Sequence, residues 1–219
     1  MNSYNIAKLN IHVNGVNNEY FDYRLSNYKL SDLNNCDIEI IHQDGCENIL
    51  IPDGNIIANV NQRYWMELNN GGFASFDSVP EIPQRFSSMV TDETWSKIET
   101  KLCNPEFLDL TDDIRPYIML GEIFKFAILK HNGIVIHSSA IEYDGSGILF
   151  SAPSGTGKST HTGLWKKYYP NITTILNDDM PAIRFVDNVP YIFGTPWSGK
   201  TEINCNQFAP LKAIIFLQQ

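Results

Sequence analysis

The strongest chemical signal in the chain is Ala152-Pro153-Ser154-Gly155-Thr156-Gly157-Lys158-Ser159, a small-residue, glycine-rich turn that ends in a lysine and a hydroxyl. Such a turn can bind phosphate because its glycines let backbone N–H groups converge on an anion, while the helix that follows presents its N-terminus. The lysine adds a point charge near the outer phosphates, and the Ser/Thr hydroxyl helps to hold Mg2+. Ser154, Gly155, Thr156, Gly157, Lys158, Ser159 and Thr160 are therefore the candidate nucleotide-binding residues. A second stretch, Gly194-Thr195-Pro196-Trp197-Ser198-Gly199-Lys200-Thr201, matches the pattern more strictly. Asn204, Asn206 and Pro210 after it favour a loop over a helix, so it fails as a second cradle. It reads either as a loop whose Lys200 reaches into the first site or as a plain structural turn.

Asp178 and Asp179 end an apolar stretch, residues 172–176, soon after the first turn. Phosphoryl transfer needs a carboxylate to hold Mg2+ and, where the acceptor is a hydroxyl, a group to take or orient its proton. Adjacent aspartates at a strand end point in different directions, so one can face the metal and the other the acceptor. The competing reading is a turn with solvated carboxylates. His137, in Ile134-Val135-Ile136-His137-Ser138-Ser139-Ala140, is either a satisfied core residue or, placed beside Asp178, a proton relay.

Strands and a helix must carry these groups. Residues 133–141 read as a strand, 143–147 as a tight turn, 148–152 as a second strand and 159–169 as a helix. Further strands are expected at 173–177, 182–186, 189–193 and 211–217. Short strands with brief connections imply antiparallel pairing, unlike the strand–helix alternation of a parallel sheet. The expected fold class is α/β of the α+β type, with a mixed, largely antiparallel sheet bearing the phosphate loop and its helix. A small β-rich module precedes it, the boundary falling near residue 110: 1–110 for the module, 111–219 for the catalytic part. In the module, residues 6–13 read as one strand followed by an Asn14-Gly15 hairpin, with further strands at 38–41, 48–51, 56–60, 64–68 and 73–76. Residues 92–102 read as a helix capped by Thr91, with Trp95, Ile98 and Leu102 on one face. Asp112 or Asp113 caps a second helix with Pro116 in its first turn, apolar nearly all round and running to about His131. No constellation in residues 1–110 suggests chemistry.

Composition bounds the remaining possibilities. The 219 residues are 43% hydrophobic and 19% charged, as in an ordinary globular chain, which excludes a disordered or fibrous protein. No run approaches the ~18 apolar residues of a membrane span, and the N-terminus lacks the pattern of a secretory signal, so a cytoplasmic protein with no membrane partner is expected. Cys36, Cys46, Cys103 and Cys205 are scattered and read as buried thiols rather than a zinc site or disulfide framework. The net charge of −9 argues against nucleic-acid binding. Residues 1–114 carry 7 basic and 18 acidic residues, whereas 115–219 carry 9 and 7. The chain stops just after an apolar strand, which reads as a fragment that lacks C-terminal site residues.

The combination of Ile136-His137, the run from Gly147 through the glycine turn to Ser159, and Leu176-Asn177-Asp178-Asp179 resembles the catalytic domain of HPr kinase/phosphorylase, over roughly residues 130–217. The resemblance implies a phosphoenolpyruvate-carboxykinase-like fold and an ATP- and Mg2+-dependent serine kinase. By position it implies that His137 and Asp178 serve at the acceptor hydroxyl, and that Asp179 joins Ser159 at the metal. The family's arginine–glycine signature is absent, and residues 194–200 stand roughly in its place, where Lys200 would neutralise the transferred phosphoryl group. The chain is more similar to the HPr-kinase-like proteins associated with peptide modification, which implies a serine-containing protein or precursor peptide as partner and leaves a homo-oligomer open. Two other functions fit the same residues: a nucleotide-binding sensor or adaptor without transfer activity, and a small-molecule kinase.

Overall fold

The alternation of apolar residues in the first half builds strands, and strands dominate the whole chain. A computed structural model describes residues 2–31, 35–46, 49–77, 85–103 and 114–218. The chain divides into two compact units, the first formed by residues 1–4, 9–23 and 29–120, the second by 5–8, 24–28 and 121–219. The expected boundary near residue 110 lies outside the described residues.

The eight-stranded sheet comprises β1 (Asn2–Ile6), β2 (Leu9–Asn14), β3 (Ile38–Gln43), β4 (Gly54–Val60), β5 (Arg63–Leu68), β6 (Phe73–Asp77), β7 (Ser87–Thr91) and β8 (Lys97–Leu102). Their order is β1-β2-β3-β8-β7-β6-β5-β4. The pairs β2–β3 and β3–β8 are parallel, while β8 to β4 form an antiparallel meander.

Four expectations for this region are corrected. Residues 6–13 are not one strand: Ala7 and Lys8 take φ of 53° and 59°, the left-handed pair of a two-residue hairpin turn. Buried positions run Tyr4, Ile6 and then Leu9, Ile11, Val13, and that change of parity is the turn's sequence trace. Asn14-Gly15 makes no hairpin. Gly15, at φ 89°, passes so close to the backbone of His42 that a Cβ would lie 1.9 Å from its carbonyl oxygen. The chain instead crosses through helix α1 (Glu19–Leu25) to a parallel β3. Residues 92–102 are no helix either. Asp92 Oδ1 accepts from the amides of Ser96 (2.8 Å) and Lys97 (3.2 Å), closing the β7–β8 turn, and Trp95 stands at φ 60°. Ile98, Thr100 and Leu102 are then buried with period two, which the helical spacing of Trp95, Ile98 and Leu102 concealed. Of the expected strand at 48–51, Ile49, Leu50 and Ile51 are irregular and Asn48 lies outside the described residues.

Helix α2 (Arg115–Ala127) leads through a 3-10 turn, Ile128–His131, into the second sheet. Pro116 occupies its first turn, where a missing N–H costs nothing. The expected caps Asp112 and Asp113 lie outside the described residues. Ile123, Phe124 and Ala127 are buried, but Ile118 and Leu129 are exposed, so the helix keeps a solvent stripe that its composition hides.

The seven-stranded sheet comprises β9 (Gly133–Val135), β10 (Ser138–Tyr143), β11 (Ser146–Ser151), β12 (Thr173–Asn177), β13 (Ala182–Val186), β14 (Val189–Phe193) and β15 (Phe208–Phe216). Their order is β12-β10-β11-β15-β14-β13-β9, and only β11–β15 is parallel. The protein is thus α+β, with two mixed, mostly antiparallel sheets and few helices. Helix α3 (Lys158–Tyr168) packs on β10, β11 and β12, with the rings of Phe150 and His161 4.6 Å apart and those of Tyr143 and Trp165 4.9 Å apart. Ala140, Leu149, Leu176, Ile183 and Ile192 form the core of this sheet.

Residues 133–141, expected as one strand, break at Ile136-His137. β9 pairs with β13, whereas β10 pairs with β11 and β12. The connections β9 to β10 and β12 to β13 run side by side, fastened by Ile136 N to Pro181 O (3.2 Å) and Ser138 N to Asp179 O (2.9 Å). His137 and the aspartate pair are neighbours for that reason.

Candidate functional site

The glycine turn leaves the end of β11 and opens α3. Gly155 and Gly157 adopt φ of 81° and 100°, conformations that side chains resist, and a Cβ on either would meet no atom within 4 Å. The mouth of the turn is therefore open. Gly157 caps α3 without a side-chain hydrogen bond, and no acidic residue stands in the first helical turn. The first N–H groups of a helix lack acceptors of their own, so this end suits an anion. Thr156 N bonds Pro153 O at 3.3 Å to tighten the turn. Ser154, Ser159 and Thr160 are exposed, with Thr156 half-buried. Lys158 is buried, and its ammonium donates to the carbonyls of Ala152 (2.9 Å) and Pro153 (3.4 Å). An open cavity of about 570 Å3 lies over the turn, lined by residues 153–156 with Leu217 and Gln218. Leu217 comes there because β15 runs parallel to β11, its amide bonding Ser151 O at 2.9 Å.

At the end of β12, Asn177 shapes the acidic turn. Its Oδ1 accepts from the amides of Asp179 (2.8 Å) and Met180 (2.7 Å), and its Nδ2 donates to the carbonyls of Thr195 (2.8 Å) and Trp197 (3.0 Å). The fully buried Asn177 thus ties residues 177–180 to the loop 194–201. Asp178, only 9% exposed, accepts from Ser139 Oγ at 2.7 Å through Oδ1 and from Thr201 Oγ1 at 2.8 Å through Oδ2. Because Ser139 gives its proton to the carboxylate, the 2.9 Å bond between Ser139 and Thr162 must run from Thr162. Thr162 belongs to α3, its hydroxyl 3.2 Å from Ser159 O. Two hydrogen bonds therefore link the Asp178 carboxylate to the helix that the glycine turn opens.

Asp179 faces another way. Its Oδ1 lies 3.3 Å from His137 Nε2, so the histidine stands beside Asp179, not beside Asp178 as the spacing suggests. Both side chains are partly exposed, at 56% for His137 and 34% for Asp179. Among the described residues, no three His, Cys, Asp or Glu side chains gather into a metal site of their own.

The second glycine motif is no cradle. It ends in a single 3-10 turn, Gly199–Thr201, and the next element is a strand, not an α-helix. Gly194 is needed for packing, since a Cβ would lie 1.9 Å from Cys205 O and 2.6 Å from Leu176 O. Lys200 is exposed on the turn, and its neighbour Thr201 makes the bond to Asp178. Sequence reasoning missed Ser139, Thr162, Thr201 and Asn177, and missed Arg24, whose buried guanidinium donates to Ser198 Oγ (3.2 Å) and Glu202 (3.1 Å). Ser139 and Thr201 lie within stretches already marked for other residues, but no local pattern singles them out.

No family model matches the chain, and no curated protein matches it.

Proposed function

We propose that the chain is an ATP- and Mg2+-dependent serine kinase of the HPr-kinase-like, carboxykinase-like type, acting on a protein or peptide. One observation carries the reading: Asp178 is joined through Ser139 and Thr162 to the first turns of α3, the helix that the glycine turn opens. Bound ATP with Mg2+ would supply the γ-phosphoryl group. The backbone of Ser154, Gly155, Thr156 and Gly157 would hold its phosphates, a fit supported by the open mouth of the turn and the uncapped helix end. Ser159 and Asp179 would hold the metal. Mg2+ is commonly bound by one or two carboxylates with phosphate oxygens. Lys158 exchanges its loop carbonyls for phosphate oxygens, Asp178 takes the proton of the acceptor hydroxyl, and His137 orients Asp179. Lys200 neutralises the transferred group.

All four cysteines are free thiols, which supports a reducing, cytoplasmic setting for the activity. No helix among the described residues is long and apolar enough to cross a membrane.

Incubation with ATP, Mg2+ and serine-containing peptides, followed by mass spectrometry, tests the proposal. Lys158→Ala and Asp178→Asn are each expected to abolish transfer while the circular dichroism spectrum is kept; turnover retained in both variants would refute the roles. The sensor reading draws on the fact that both Asp178 oxygens already accept hydrogen bonds. Equilibrium ATP binding with no transfer would select it.

A further inference from the structure

The strict glycine motif at residues 194–201 is left without a part in nucleotide binding, yet it ends against the candidate proton acceptor. Thr201 Oγ1 donates to Asp178 Oδ2 at 2.8 Å, the contact an acceptor hydroxyl must make before it loses its proton. Two hydroxyls touch this carboxylate, and burial distinguishes them. Ser139 is fully buried and also engaged by Thr162, whereas Thr201 is exposed. The turn that presents Thr201 is firmly held: Trp197 is 3% exposed and its ring packs 5.0 Å from that of Phe124. Ser198 Oγ accepts from Arg24 (3.2 Å) and Asn204 (2.8 Å). Gly199, at φ 55°, brings the backbone over Asp179, whose carboxyl would lie 3.2 Å from an added Cβ.

We propose that Thr201 is itself a phosphorylation site, modified within the same molecule by the site it touches. The inference rests on the kinase reading above. In the step, the Thr201 Oγ1–H proton passes to the Asp178 carboxylate. Oγ1 bonds to the γ-phosphorus of ATP, the bond from that phosphorus to the β,γ-bridging oxygen breaks, and ADP leaves with the electron pair. The product is a phosphothreonine beside Asp178. Once Asp178 has released that proton to solvent, the phosphate charge opposes the carboxylate and no hydroxyl proton is left to bridge them, so the Thr201–Asp178 bond is lost and the turn moves off. Lys200, next in the chain, offsets part of the new charge. Asp178 Oδ2 is then open to an incoming serine.

The full chain is incubated with ATP and Mg2+, digested and mapped by mass spectrometry, with ATP affinity measured by calorimetry on the same preparation. Phosphate on Thr201, at a rate independent of protein concentration and absent from Lys158→Ala and Thr201→Val, is the expected result. Three outcomes overturn the inference alone: transfer to a peptide with Thr201 unmodified, phosphate on another residue of the turn, or a Thr201 rate that rises with protein concentration. Failure to bind ATP overturns the kinase reading and the inference with it. Amide hydrogen exchange without nucleotide provides a separate readout. Residues 199–204 should lose protection in Thr201→Val and keep it in Thr201→Ser; equal protection in all three proteins means that Trp197 and Ser198 hold the turn without the hydroxyl, and overturns its release on phosphorylation.

Discussion

Asp178 is a carboxylate taken almost wholly out of water, and that burial is tolerable because both oxygens accept hydrogen bonds. Removing one donor leaves the charge under-solvated at a cost of about 1–3 kcal/mol. Ser139→Ala is therefore expected to lower the urea-unfolding free energy by that amount, and to weaken phosphoryl transfer because Asp178 loses the anchor that orients it toward α3. Thr162→Val should act in the same direction with a smaller stability cost, since it disturbs Asp178 only through Ser139. Equal stabilities for Ser139→Ala and the parent protein would show that the carboxylate does not depend on this hydroxyl. Neither residue was legible from its neighbours in the chain. Ser139 lies 39 residues from Asp178, and a serine in a strand carries no local mark of what it will face.

Among the elements, the clearest case of local chemistry overruling periodicity is the β7–β8 turn. The Asp92 carboxyl is held below the ordinary aspartate range. Partial burial pushes it up, but donors from Ser96, Lys97 and Thr94 outweigh that effect. A depressed native value means that the group stabilises the fold above the unfolded pKa and that this contribution fades as pH falls through the folded one. Asp92→Ala should thus cost about 1 kcal/mol at neutral pH, discounted for exposure, and the difference should shrink below about pH 4. Urea midpoints for both proteins at the two pH values provide the check; a gap that widens in acid would contradict the assignment. The helix expected at 92–102 failed because Trp95, Ile98 and Leu102 fit a period of 3.6 while Ile98, Thr100 and Leu102 fit a period of two. The aspartate-centred turn, with Trp95 left-handed, settles the choice.

Over the whole molecule, charge is divided unevenly between the compact units. The first has 6 basic and 18 acidic residues, the second 10 and 7. Self-repulsion within the acidic unit should weaken it at low ionic strength and be screened as salt shortens the Debye length to ~8 Å near 0.15 M. The thermal midpoint is expected to rise between very low salt and that concentration; a flat or falling midpoint would place the acidic residues too far apart to matter. The α+β class and the antiparallel bias of the second sheet were readable from short strands with brief connections. The parallel β2–β3–β8 pairing was not, because Asn14-Gly15 has hairpin chemistry and its glycine is explained only by the close passage of His42.

What eight consecutive residues can encode was present in the chain from the start. The glycines at positive φ and the lysine, within residues 152–159, and the helix they open depend on backbone freedom and capping, which are properties of neighbours along the sequence. Which partner each acidic residue would face depended on strand pairing, because Ser139 and Thr201 reach Asp178 from 39 and 23 positions away in the chain and Arg24 reaches Ser198 from 174. Side-by-side passage of two loop connections put His137 against Asp179 and left Asp178 to hydroxyls. No spacing rule along one strand contains that outcome, since it is set by the order in which seven strands pair.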